Sequence, residues 1–85
     1  MKNAEKILLR ISRNPKNVHF QDFTLLIKAY GFVLDRVHGS HYIFKKEGIP
    51  EFINIQNHRG EVKPYQMKQF FALINKYGFK LENRK

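Results

Sequence analysis

The spacing of apolar residues changes twice along this chain. Phe20, Phe23, Leu26, Ile27 and Tyr30 recur at helical intervals; after Gly31 the repeat shortens to two, and at Pro64 it lengthens again. A segment of period two held between segments of period near 3.6 buries its apolar face most simply as a sheet covered by helices. The fold class expected is therefore α+β, a two-layer domain with a three-stranded antiparallel sheet and helices on one face. The other sheet face is left open to solvent or to a partner.

The elements follow in the order α-α-β-β-β-α. Ala4, Ile7, Leu8 and Ile11 make one face of a helix over residues 1–13, which Asn14-Pro15 breaks. The second helix carries Asp22 in its first turn, where a negative charge suits the dipole, and ends at Gly31. Residues 32–37 and 40–45 read as strands joined at His38-Gly39, a short turn and hence a hairpin. A third strand covers 52–56 with Ile53 and Ile55 on one face, and 57–63 is a polar loop. Pro64 opens the last helix, Met67, Phe70, Phe71, Ile74 and Tyr77 form its stripe, and Gly78 closes it. We read residues 1–85 as a single domain, in which 1–16 form an extra N-terminal helix whose stripe needs a neighbour to pack on and 17–80 form the main body.

Charge narrows the partner. Lys and Arg number 16 against 7 Asp and Glu, a formal charge of +9, and the usual partner of so basic a small domain is a polyanion, most often nucleic acid. Solubility or an acidic protein partner is the plainer reading. No apolar run approaches the roughly 20 residues a membrane span needs, and charges within residues 1–12 argue against a secretory leader. The chain has no cysteine, so no disulfide framework and no thiolate metal site, which fits a cytoplasmic protein.

The residues with chemistry to offer cluster around Gly39-Ser40-His41. Metal-free RNA cleavage needs a base for the 2′-hydroxyl proton, an acid for the departing 5′-oxygen, and positive charge on the phosphoryl oxygens. Histidine suits the proton transfers because its ordinary pKa of about 6.5 lies near the working pH. If Tyr42 and Phe44 go to the core, His41 and Lys45 share the open face; if Ile43 is core, His41 sits at its margin. Burial of the larger aromatic pair favours the first placement. The plain alternative is a strand histidine without a role. Gly39 supplies the positive φ of a tight hairpin and allows close approach of a ligand backbone, and Ser40 can donate to a phosphate oxygen or bond within the turn.

Of the other histidines, His38 stands three residues before His41, which across a turn need not bring the two together, and His58 is a weak candidate for a second proton-transfer group. His19 has no assigned role. Their spacing matches no metal-ligand motif and carboxylates do not cluster near them, so no metal and no cofactor is expected. Arg36, Lys45 and Lys46 lie in the hairpin; Arg59, Lys63 and Lys68 lie before and within the last helix. Lys63 occupies an N-cap position that mildly disfavours a cation, yet a helix N-terminus with a lysine receives phosphate well. Tyr65 could stack on a base, and so could Tyr42 were it not drawn to the core.

Taken as a set, Tyr30-Gly31-Phe32, Arg36, Gly39-Ser40-His41-Tyr42-Ile43-Phe44, the isoleucine strand at 52–56 and Lys63-Pro64 resemble the HicA toxins over residues 20–79. HicA toxins are mRNA interferases of bacterial type II toxin–antitoxin pairs. The resemblance implies a double-stranded-RNA-binding-like fold, metal-independent RNA endonuclease activity with His41 as the catalytic residue, and a HicB antitoxin that covers the site. Gly39, Ser40, Arg36, Lys45, Arg59 and Lys63 are then the expected RNA-binding residues. Two departures stand out. Many relatives carry a second histidine directly after the first, where this chain has Tyr42, and the segment before residue 20 is longer than a minimal member needs. A non-catalytic RNA-binding module on the same fold, or an adaptor for an acidic partner, would use the same charge without the histidine.

Overall fold

The computed structural model describes residues 3–82, so Met1 and Lys2, counted in the expected first helix, lie outside the described residues. The elements are α1 (Ala4–Arg13), β1 (Val18–His19), α2 (Phe20–Ala29), β2 (Val33–His38), β3 (His41–Lys45), β4 (Phe52–Gln56), β5 (Glu61–Val62) and α3 (Pro64–Tyr77). The Asn3 side chain caps α1 by accepting the Lys6 N–H at 3.0 Å, and Arg10 and Arg13 occupy the last turn, where cations meet the negative end of the dipole. Ile7 and Ile11 are buried in the same core as the rest of the domain, and Arg10 Nη1 lies 3.7 Å from Asp22 Oδ2 on α2.

Phe70 of α3 is the centre of that core. Its ring lies 5.4 Å from Phe23 and Phe71, 5.6 Å from Tyr30 and 5.8 Å from Phe32, all edge-on, the arrangement that sets a positive ring edge against a negative face. Phe44 and Ile55 close it from the sheet side, both about fully buried. The helices thus cover one face of the sheet, whose order is β2-β3-β4 with every pairing antiparallel.

Three features depart from the sequence expectation. The hairpin loop is Gly39-Ser40, one residue later than expected, because His38 still belongs to β2 and pairs with His41. The positive φ of 59° falls on the first loop residue, where a type II′ turn requires it. The segment 57–63 is more than a polar loop. His58 and Glu61 bridge across Arg59 and Gly60, whose φ values of 53° and 84° are those of a type I′ turn, and β5 then pairs with β1 as a second, two-stranded sheet. Two-residue strands carry too little periodicity to read from sequence.

A latch closes the far end. The Glu82 N–H donates to Ala29 O at 2.8 Å, and Lys46 Nζ donates to Tyr30 O at 3.0 Å beneath the Phe79 ring. Gly31, at φ 96°, sits under this latch, and a Cβ there would run into Lys46 Nζ and Glu82 Oε2.

Candidate active site on the open sheet face

Register decides which side chains share the open face. Tyr42 and Phe44 turn toward the helices, Phe44 buried and Tyr42 packed on Phe20 with ring centres 4.7 Å apart. His41, Ile43 and Lys45 therefore face away, opposite Gln56, Asn54 and Phe52 of β4 and opposite His38, Arg36 and Val33 of β2. This is the placement that burying the aromatic pair favours.

His41 is half-buried and anchored. Its Nδ1 lies 3.1 Å from Asn54 Oδ1. An amide oxygen only accepts, so in the neutral ring the hydrogen sits on Nδ1 and the lone pair is left on Nε2. The loop before it is also tied down. Gln56 Nε2 donates to Ser40 Oγ at 3.3 Å, Asn57 N–H donates to Ser40 O at 2.8 Å, and the Gln56 N–H is held by Gln66 Oε1 of α3 at 3.1 Å. Gly39 has open space where a Cβ would stand, so a ligand backbone can approach it.

Arg36 and Lys45 belong to the same face but are not free cations. A bulge between Leu34 and Arg36 makes Asp35 the extra residue of β2. Its carboxylate binds the Arg36 guanidinium and lies 3.3 Å from Lys45 Nζ. Hydrogen bonds from Arg36 first and Lys45 second hold the Asp35 carboxyl below the usual aspartate range. The Arg36 guanidinium also lies 5.6 Å from the centre of the Phe52 ring, itself half-exposed. Lys45 stands four residues along β3 from His41, about 13 Å at strand rise, too far for both to hold one phosphate.

Arg59 and Lys63 lie elsewhere. Lys63 is the N-cap of α3, makes no side-chain capping bond, and lines a cleft of about 330 Å³ with Lys16, Asn17, His58, Glu61 and Pro64. Arg36, His41 and Lys45 take no part in that cleft. Tyr65 is exposed on the first turn of α3. Among the described residues no three His, Asp or Glu side chains gather to hold a metal ion, and no helix is long and apolar enough to cross a membrane. Sequence reasoning missed Asn54, Asp35 and the position of His38, all consequences of strand pairing.

The fold and the site define a small basic α+β domain of double-stranded-RNA-binding-like architecture, with a histidine anchored beside a hairpin turn. The family model described as the HicA toxin of bacterial toxin–antitoxin matches residues 20–76, and the chain belongs to this family of toxins, whose members are paired with an antitoxin. Searches of curated proteins and of solved structures return no match.

Proposed function

We propose that this toxin is a metal-independent endoribonuclease acting on mRNA in the cytoplasm, held in check by a HicB-like antitoxin that covers the open sheet face. The observation that carries this reading is the His41–Asn54 contact, which anchors the ring through Nδ1 and leaves Nε2 as the nitrogen that carries the lone pair in the neutral form, at the edge of a basic surface. In this mechanism Nε2 takes the proton from a 2′-hydroxyl, the oxygen attacks the adjacent phosphorus, and the chain is cut to a 2′,3′-cyclic phosphate and a 5′-hydroxyl. Gly39 and Ser40 line the approach of the scissile phosphate. Arg36 holds the backbone beside it, Lys45 holds a neighbouring phosphate, and Arg59 and Lys63 bind the strand farther along.

The test is expression of wild type beside His41→Ala, with growth and total RNA followed after induction and the purified proteins incubated with RNA in a chelator. Wild type is expected to arrest growth and cut RNA, and His41→Ala to do neither while melting at the same temperature. RNA that is bound in a salt-sensitive way by both proteins and cut by neither would identify a non-catalytic binding module instead.

A further inference from the structure

In an in-line displacement the departing oxygen lies on the far side of the phosphorus from the imidazole that takes the 2′-hydroxyl proton, so a second, separate donor serves it best, and Tyr42, at the position after His41, is packed on Phe20 beneath the sheet. The register brings a different histidine to the site. His38 and His41 are Cα partners flanking the two-residue loop Gly39-Ser40, so both side chains leave the same face. Side chains directly opposite on antiparallel strands start about 5 Å apart at Cβ. Two imidazoles on such a base span the two oxygens on either side of one phosphorus, which Lys45 at about 13 Å does not.

Their environments also differ. His41 is half-buried and its Nδ1 is held by Asn54, so in the neutral ring Nε2 carries the free lone pair. His38 ends the edge strand β2 and is exposed to water, open to proton exchange with solvent.

Resting on the endoribonuclease reading above, we propose that His38 is the second proton-transfer group of this site, donating to the departing 5′-oxygen while His41 accepts the 2′-hydroxyl proton. The bookkeeping closes. The bond from O2′ to phosphorus forms as the bond from phosphorus to O5′ breaks. One proton moves from the 2′-hydroxyl to His41 Nε2 and one from the His38 imidazolium to O5′, and exchange with water restores both rings.

Leaving-group replacement tests this directly. A short RNA cut by wild type is resynthesised with sulfur in place of the 5′-oxygen at the cut site; a thiolate departs without a proton. His38→Ala and His38→Gln are expected to cut ordinary RNA about a hundred- to ten-thousandfold more slowly than wild type, and to cut the sulfur substrate at close to the wild-type rate. His41→Ala stays slow on both. Unchanged cleavage of ordinary RNA by the His38 variants overturns the proposal, as does an equal loss on both substrates. Either result leaves the endoribonuclease reading standing, whereas wild type that cuts neither substrate ends both. Thermal melting of the two His38 variants, expected to match wild type at this exposed position, separates loss of chemistry from loss of fold.

Discussion

Asp35 offers the sharpest test of how this surface meets RNA. Its carboxylate binds both Arg36 and Lys45, so the three side chains carry a combined charge of one positive unit rather than two. Asp35→Asn keeps the shape of the side chain and removes the charge, freeing the equivalent of one cation for phosphate. For a single strand, each added phosphate contact steepens the fall of log K with log salt by about 0.7. Measured from 1 M, that is about 0.7 log units at 0.1 M salt, or about fivefold tighter binding, shrinking to nothing as salt approaches 1 M. The assay is fluorescence anisotropy of labelled single-stranded RNA across this salt range, with His41→Ala in both proteins to prevent cleavage. A slope that does not change would mean that Arg36 and Lys45 do not touch phosphate. Weaker binding would mean that Asp35 serves to hold the two cations in place, and the competition argument would be wrong. The same depressed carboxyl gives a stability signature of known sign. Its contribution is present above the ordinary aspartate range and lost as pH falls through the lowered folded value, so Asp35→Asn is expected to melt slightly below wild type at neutral pH and together with it in acid.

Three further outcomes are expected. Asn54→Ala removes the anchor of the His41 ring and should lower kcat for RNA cleavage by about a hundredfold, the scale of a small misplacement of a catalytic group, with KM unchanged. Gly31→Ala places a side chain at φ 96° against Lys46 and Glu82, and should cost about 1–3 kcal/mol, visible as a fall in melting temperature of about 4–24 °C for a domain of this size. Glu51 receives hydrogen bonds from Lys76 Nζ at 2.8 Å and Tyr77 Oη at 2.6 Å, which lower its pKa and raise theirs. Glu51→Gln should therefore melt below wild type above the ordinary glutamate range, with the gap closing as pH falls through the lowered folded value.

The layers of the fold were legible because each helix carries its own evidence. Phe23, Leu26 and Ile27, or Met67, Phe70 and Ile74, mark a buried stripe whatever they pack against, and Gly31, Pro64 and Gly78 end or begin their helices by local backbone chemistry. The β1–β5 pairing had no such mark. Val18 and Val62 are both buried, but what holds them together is the type I′ turn at Arg59-Gly60 and the bond from the Phe20 N–H to Gly60 O at 2.7 Å, neither of which is a pattern in the residues of the strands themselves.

The site was legible only up to the point where two strands must be laid side by side. Strict alternation along β2, counted back from His38, would put Leu34 on the open face with Arg36 and send Asp35 toward the helices. The bulge reverses this, turning Leu34 to the helix side opposite Phe44 and releasing Asp35 to bind Arg36 and Lys45. The same logic governs His38. A one-residue error in locating the loop, from Gly39-Ser40 to His38-Gly39, moves His38 out of the strand and away from His41. The type II′ turn decides between them, because its positive φ must fall on the first loop residue and Gly39 is the glycine at hand. That glycine sets the phase of the hairpin, and the phase determines whether the exposed face carries one imidazole or two.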